Sequence, residues 1–194
     1  MLKRLLAAEK NRLHADTASE LGDCAGDIKA HLCFLNKRIE LLPLRAEKLI
    51  REEDQLGRRF DHLVSVTGIA RASAIQILGE LAVLPEHMNK RQWTAHAGLD
   101  PRKFDSGTSV HRPARITRAW NHYLRKTLYM PALVAIRREK RIRAYYEHLL
   151  EAGKRPFQAI VAVMRKLLCA IWWMFTAGQD FDPDRFYGDR AVSA

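Results

Sequence analysis

The sequence predicts a mainly α protein: a long helical hairpin or coiled coil, then a helical domain interrupted by one irregular basic loop. Two observations carry that prediction. Apolar residues recur at helical spacing in nearly every stretch between glycines and prolines, and no convincing run of alternating apolar and polar residues marks a buried strand. The 194 residues suffice for one domain with an appendage, and a 47% hydrophobic content fits a folded chain.

Residues 1–60 form the predicted arm. A first helix is expected over about 2–18, a break at Gly22 and Gly26, and a second helix over about 27–57. Its apolar seam runs through Ile28, Leu32, Leu35, Ile39, Leu42, Leu49 and Leu56, as a coiled coil needs. Pro43 removes one backbone donor, so the second helix is expected to bend there and continue. The same seam suits pairing within the chain or a homodimer through residues 28–60.

The domain is predicted over 61–178, followed by a tail over 179–194. Residues 63–81, LVSVTGIARASAIQILGEL, read as two helices around a Gly68-Ile69-Ala70 turn, with Ala74, Ile75 and Leu78 inward. This is helix-hairpin-helix-like: such a turn presents backbone N–H groups, here beside Arg71, to a nucleic-acid phosphate. Asn89, with Gln92 three residues on, predicts a boxed helix start ending at Gly98. The loop 98–117, GLDPRKFDSGTSVHRPARIT, has no helical period and leaves room for a short β-hairpin within 103–116. Helices are expected from Thr117 to about Ile136 and over 141–152. A closing helix over 156–177 carries Val161, Met164, Leu167, Leu168 and Ile171. Trp172 and Trp173 are assigned to the core, although their rings could stack bases.

Charge narrows the function. Lys and Arg number 33 against 22 Asp and Glu, for a net +11. Residues 102–143 hold twelve basic residues, mostly Arg, against Asp105 and Glu139, and so +10 of that total. Arginine's planar fork matches phosphate oxygens, and the clustering is expected to form one concave patch for nucleic acid. No segment combines a basic face with a strong exposed apolar one, and no apolar run reaches the roughly 18 residues of a membrane span. The start MLKRLLAAEKNRLH lacks a signal peptide's apolar stretch. A cytoplasmic protein is expected. Cys24, Cys33 and Cys169 lack metal-site spacing and read as reduced thiols.

Within the basic loop, Asp105-Ser106-Gly107 places a hydroxyl beside a glycine that permits close approach. A serine attacking a phosphodiester needs a base and nearby cations, for which His111 and Arg112, Arg115 and Arg125 are candidates. Asp-Ser-Gly alone is equally ordinary turn chemistry.

In order along the chain come AEKNRL (8–13), L-x-S-V-x-GI (63–69), RQWTAHAGLDP (91–101), DSG (105–107) and I-T-R-x-x-N-x-x-L-R (116–125). LYMPALVAIR (128–137), YYEHLLEAGK (145–154) and AIVAVMRKLL (159–168) follow. The series closely resembles the C-terminal half of the insertion-sequence-110 (Piv-type) transposases, over residues 4–175. The resemblance implies a DNA recombinase of mobile elements, with Ser106 as the nucleophile that joins covalently to DNA. Gly68, Arg71, Lys103, Arg112, Arg115, Arg118, Asn121, Arg125 and Lys126 are the expected nucleic-acid contacts. It also implies a structured guide RNA as a partner. The family's N-terminal RuvC-like domain, whose acids bind a divalent metal such as Mg, has no counterpart here. The chain is therefore expected to hold no cofactor, to be truncated and to be inactive alone. Trp120 stands where the family has glycine. A non-catalytic nucleic-acid-binding module and a structural coiled-coil protein are the alternatives.

Overall fold

The computed structural model describes residues 2–18, 24–106, 110–116 and 121–187, and only the backbone of 102–115. It divides into two compact units, Met1–Glu53 and Asp54–Ala194. The boundary lies where the sequence expected continuous helix. Glu52 and Glu53 end one helix and Asp54 starts the next, so the expected 27–57 helix is two.

The first unit is a helical hairpin of α1 (Leu2–Ala18) and α2 (Ala25–Arg51). On α1 the inward positions are Leu2, Leu6, Glu9, Leu13 and Asp16, a mixed apolar and acidic face. The buried Glu9 accepts from Arg12 at 3.1 Å and lies 3.2 Å from His31 Nδ1 of α2. On α2 the inward face is Ile28, Leu32, Leu35, Ile39, Pro43, Ala46 and Ile50. The expected heptad positions Leu42 and Leu49 are instead exposed. The observed steps of four and three average close to 3.6, the period of a straight helix. A strict heptad repeat drifts by roughly 20° per seven residues off such a face. Pro43 sits inside α2, as expected.

The second unit holds α3 (Asp54–Ser65), α4 (Arg71–Leu81), α5 (Lys90–His96), a two-stranded antiparallel hairpin of β1 (Pro101–Ser106) and β2 (Val110–Ile116), α6 (His122–Arg138), α7 (Lys140–Glu151), α8 (Pro156–Ala177) and the short α9 (Pro183–Phe186). The fold is mainly α, with this one hairpin inside the irregular basic loop.

α8 is the centre of the unit. Pro156 occupies the first turn, where its missing N–H costs nothing, and Gly178 closes the helix at φ +64°. Ala159, Val163, Met164, Leu167, Leu168, Ile171 and Met174 are fully buried, each larger apolar side chain contributing about 1.5–3 kcal/mol. Against expectation, α8 is long and apolar enough to cross a membrane. Its apolar positions pack instead on α3, α5, α6, α7 and α9. Trp172 and Trp173 belong to this packing: Trp172 Nε1 donates to Met88 O at 2.9 Å, and Trp173 lies under the Arg185 guanidinium.

The predicted tail is docked as far as Tyr187. Phe186 is buried, Asp184 pairs with Arg141 at 2.8 Å, and Asp180 Oδ1 lies 2.7 Å from His62 Nδ1. Residues 188–194 lie outside the described residues.

Candidate nucleic-acid interface

The basic hairpin stands between two anchors. Its entry is Leu99-Asp100, set by the turn that ends α5. Asn89 accepts from the N–H groups of Arg91 and Gln92 while Gln92 Oε1 accepts from Asn89 N at 2.8 Å, so α5 starts at the predicted box. It ends at Gly98 (φ +62°). Leu99 N then returns to Thr94 O at 2.9 Å. Asp100 Oδ1 accepts from the buried Thr94 hydroxyl and from Arg165 Nε of α8, both at 3.1 Å. The incoming leg is thereby fixed to two helices.

The exit anchor is Asn121. Its Oδ1 caps α6 by accepting from Leu124 N at 3.0 Å, its backbone N–H donates to His96 O at 3.0 Å, and its Nδ2 donates to Glu80 of α4. His96 Nε2 lies 3.4 Å from the same amide. Arg125, one turn on, donates Nη1 to Ala97 O at 2.9 Å. Asn121 and Arg125 were expected to face nucleic acid, yet both direct polar atoms into the protein that frames the hairpin. α6 starts after this cap rather than at Thr117; residues 117–120, including Arg118 and Trp120, lie outside the described residues.

Between the anchors the strands pair Pro101 with Ile116, Arg102 with Arg115, Phe104 with Arg112, Asp105 with His111 and Ser106 with Val110. An irregularity falls between Arg102 and Phe104, at Lys103. Ser106 is the last residue of β1, and Gly107, Thr108 and Ser109 lie outside the described residues. Arg112 and Arg115 lie on β2, and Lys126 is exposed on α6.

The Gly68 turn is built by packing. A Cβ at Gly68 (φ +100°) would lie 2.6 Å from Pro131 O and 3.0 Å from Ala135 N, so the residue is seated on the α6 backbone. Ile69 N–H is already committed to Val66 O at 3.0 Å. Ala70 caps α4 without a side-chain bond, and Arg71 opens that helix. Ile77 is fully buried on α4, while the expected Ile75 is half-buried.

The expected single basic patch divides. The hairpin, Arg125 and Lys126 lie at the N-terminal end of α6; Arg137, Arg138, Lys140 and Arg143 lie at the other end of this 17-residue helix. At 1.5 Å per residue that is about 25 Å. Arg141 is held by Asp184.

Sequence reasoning missed Glu80, Thr94, His96, Asp100 and Arg165, the residues that orient the hairpin. Their roles depend on partners 25 to 65 positions away or on one hydroxyl, which no local spacing reveals. Burial pushes the Cys169 thiol up, against the lowering effect of Arg165, Lys90 and Lys166, so it is a poor nucleophile. A cleft of about 270 Å³ lies among α3, α4, α5 and α8, lined by Arg59, Leu78, Trp93, Trp172 and Phe175. Among the described residues no group of three His, Cys, Asp or Glu is placed to hold a metal ion.

Residues 61–147 match the family described as the transposase IS116/IS110/IS902 family. This span contains the hairpin, Ser106 and the Glu80, His96, Asp100 and Asn121 anchors. Consistent with that match, the chain is 28% identical over 136 residues to the pilin gene-inverting protein of Moraxella bovis, covering 70% of this chain and 42% of that protein. It is 27% identical over 160 residues to the 44.8 kDa protein of insertion element IS116 of Streptomyces clavuligerus, covering 81% and 38%. The 42 kDa protein of IS900 of Mycobacterium paratuberculosis is 38% identical over 81 residues, covering 40% and 19%. The chain thus spans about two fifths of the length of the first two relatives. The matched span begins within α3 and stops within α7, so all of α8, Arg165 included, lies beyond it.

Proposed function

We propose that this chain is the DNA-handling part of a bacterial insertion-sequence transposase or site-specific recombinase, and that Ser106 is its nucleophile. The observation that carries the reading is the pinned hairpin: Asp100 and Asn121 fix both legs of the basic strand pair that ends at Ser106. A strand held at its entry gives the Ser106 backbone a set register, and in-line attack on a phosphodiester requires a positioned nucleophile. The family domain and a relative named for inverting a pilin gene support DNA as the substrate.

In this mechanism Ser106 Oγ loses its proton and attacks phosphorus. The bond from phosphorus to one deoxyribose oxygen breaks, and that oxygen takes a proton. The serine–phosphate diester conserves the bond until the free hydroxyl of a second strand attacks it and releases Ser106. Arg112, Arg115 and Arg118 supply positive charge for the extra negative charge on the phosphoryl oxygens. Lys103 and Lys126, with Arg71 at the start of α4, hold the flanking backbone. Acids and a divalent metal belong to a RuvC-like domain outside residues 1–194, acting with this one. A structured guide RNA fits the same basic surface. A homodimer through α2 is supported by the exposed Phe34, Leu41 and Leu49, one heptad apart or nearly so.

The test is covalent trapping. With a RuvC-like domain supplied, nicked or strained DNA should yield a denaturation-resistant adduct with the native chain and none with Ser106→Ala. An adduct that survives Ser106→Ala, or no adduct from either protein while both bind DNA, would leave the non-catalytic binding module as the correct description.

A further inference from the structure

α6 ends and α7 begins across one extended residue, Glu139 (φ −108°, ψ 118°). Arg137 and Arg138 occupy the last turn of α6, Lys140 and Arg143 the first turn of α7, and all four are exposed. Arg143 is structural: its Nε donates to Ile136 O at 3.2 Å and its Nη2 to the Arg137 carbonyl. It closes the carbonyl end of α6 and so fixes the corner between the helices. Arg137, Arg138 and Lys140 have no ion-pair partner among the described residues.

The placement is unusual for a merely solvated face. Arg137 and Arg138 suit the negative end of α6. The first turn of α7, however, contains no acid: Glu139 precedes it as the N-cap, Asp184 holds Arg141, and Lys140 and Arg143 stand at the positive end of its own dipole. Cations there raise one another's potential, and an anion lying over the corner relieves it. From Ala135 to Pro156 no large apolar side chain is exposed. The corner therefore lacks the apolar face with which a basic helix enters lipid.

We propose that the α6–α7 corner is a second backbone-binding site for duplex nucleic acid, at which Arg137, Arg138 and Lys140 take the phosphates of a duplex that also passes the hairpin. The inference rests on the reading that the hairpin meets nucleic acid. Its geometry is set by α6, whose 17 residues put the corner about 25 Å, roughly seven base-pair steps, from the Asn121 end of the hairpin. Both sites thus fall within one turn of a single duplex.

The experiment uses the full chain and duplexes of about 20 base pairs, one DNA and one RNA, with affinity followed across a salt series. The variant Arg137→Ala/Arg138→Ala/Lys140→Ala is compared with Arg112→Ala/Arg115→Ala. Arg137→Gln/Arg138→Gln serves as the milder change, and thermal melting checks that each is folded. On DNA, the triple variant is expected to bind at least tenfold more weakly and to lose about 2.7 from the log–log salt slope. The double Gln variant should lose about two thirds of that. The duplex that shows the loss identifies the source of the phosphates. If folded corner variants keep the native slope on both duplexes while the hairpin variant loses affinity, the corner site is wrong and the hairpin reading stands. If only the corner variants lose affinity, the hairpin reading falls and the shared duplex with it, leaving the corner as a phosphate site of its own. Corner-dependent binding to vesicles of phosphatidylglycerol and phosphatidylcholine, with none to either duplex, overturns the proposal in favour of a membrane.

Discussion

Asn121 was expected at the nucleic acid because it is the asparagine of the I-T-R-x-x-N-x-x-L-R stretch that carries the transposase resemblance. In the fold its side chain caps α6 and reaches back to α4 through Glu80. Asn121→Ala therefore removes a helix cap and leaves Glu80 without that donor. The expected loss is about 1–2 kcal/mol in denaturant unfolding, and a cycle with Glu80→Ala should reveal coupling of about 0.5 kcal/mol or more. Gly68 is constrained differently: its positive φ and the 2.6 Å approach to Pro131 O leave no place for a methyl group. Gly68→Ala should lower the melting temperature by several degrees, corresponding to about 1–3 kcal/mol. The cysteines separate by environment. Cys24 and Cys33 are exposed, whereas burial raises the Cys169 thiol, so its thiolate forms only at higher pH than an ordinary thiol's. Alkylation followed by mass spectrometry should modify Cys24 and Cys33 first, with Cys169 catching up only as pH rises. Equal rates at neutral pH would contradict that environment.

At the scale of elements, what was legible in the sequence was local. The Asn89–Gln92 box, the closing helix after Pro156 and the uninterrupted helix around Pro43 each depend on neighbours within a turn or two. So did the prospect of a hairpin in 103–116, where prolines and glycines break helical spacing. Two things were not legible. The inward face of α2 beyond Ile39 depends on whether the helix is straight or supercoiled, and Leu42 and Leu49 fit one period while Pro43, Ala46 and Ile50 fit the other. The hairpin's anchors were hidden because Asp100 meets Arg165 and Asn121 meets Glu80 only after α4, α5 and α8 have packed. Ser106 itself became a candidate only through the ordered motifs around it. The basic strands carry their own test: in DNA titrations Arg112→Ala/Arg115→Ala should reduce the log–log salt slope by about 1.8. A native slope would remove the hairpin from the interface.

At the scale of the whole chain, the two compact units make separate demands. The Asp54–Ala194 unit holds its own core around Leu124, Leu128, Leu167 and Leu168 and should unfold cooperatively without the first 53 residues. Leu41→Lys with Leu49→Lys places charge on the exposed side of α2 and should reduce any dimer seen by sedimentation while leaving the helical hairpin folded. Twenty residues separate the Asp100 tether from the Asn121 cap, and everything chemical that the reading assigns to the strands lies between them. That segment behaves as a cassette in a socket: the socket belongs to α4, α5, α6 and α8, and the insert makes its own strand pairing. Exchanging the insert between those two residues should therefore leave the helical core folded, and thermal melting of such a chimera checks it.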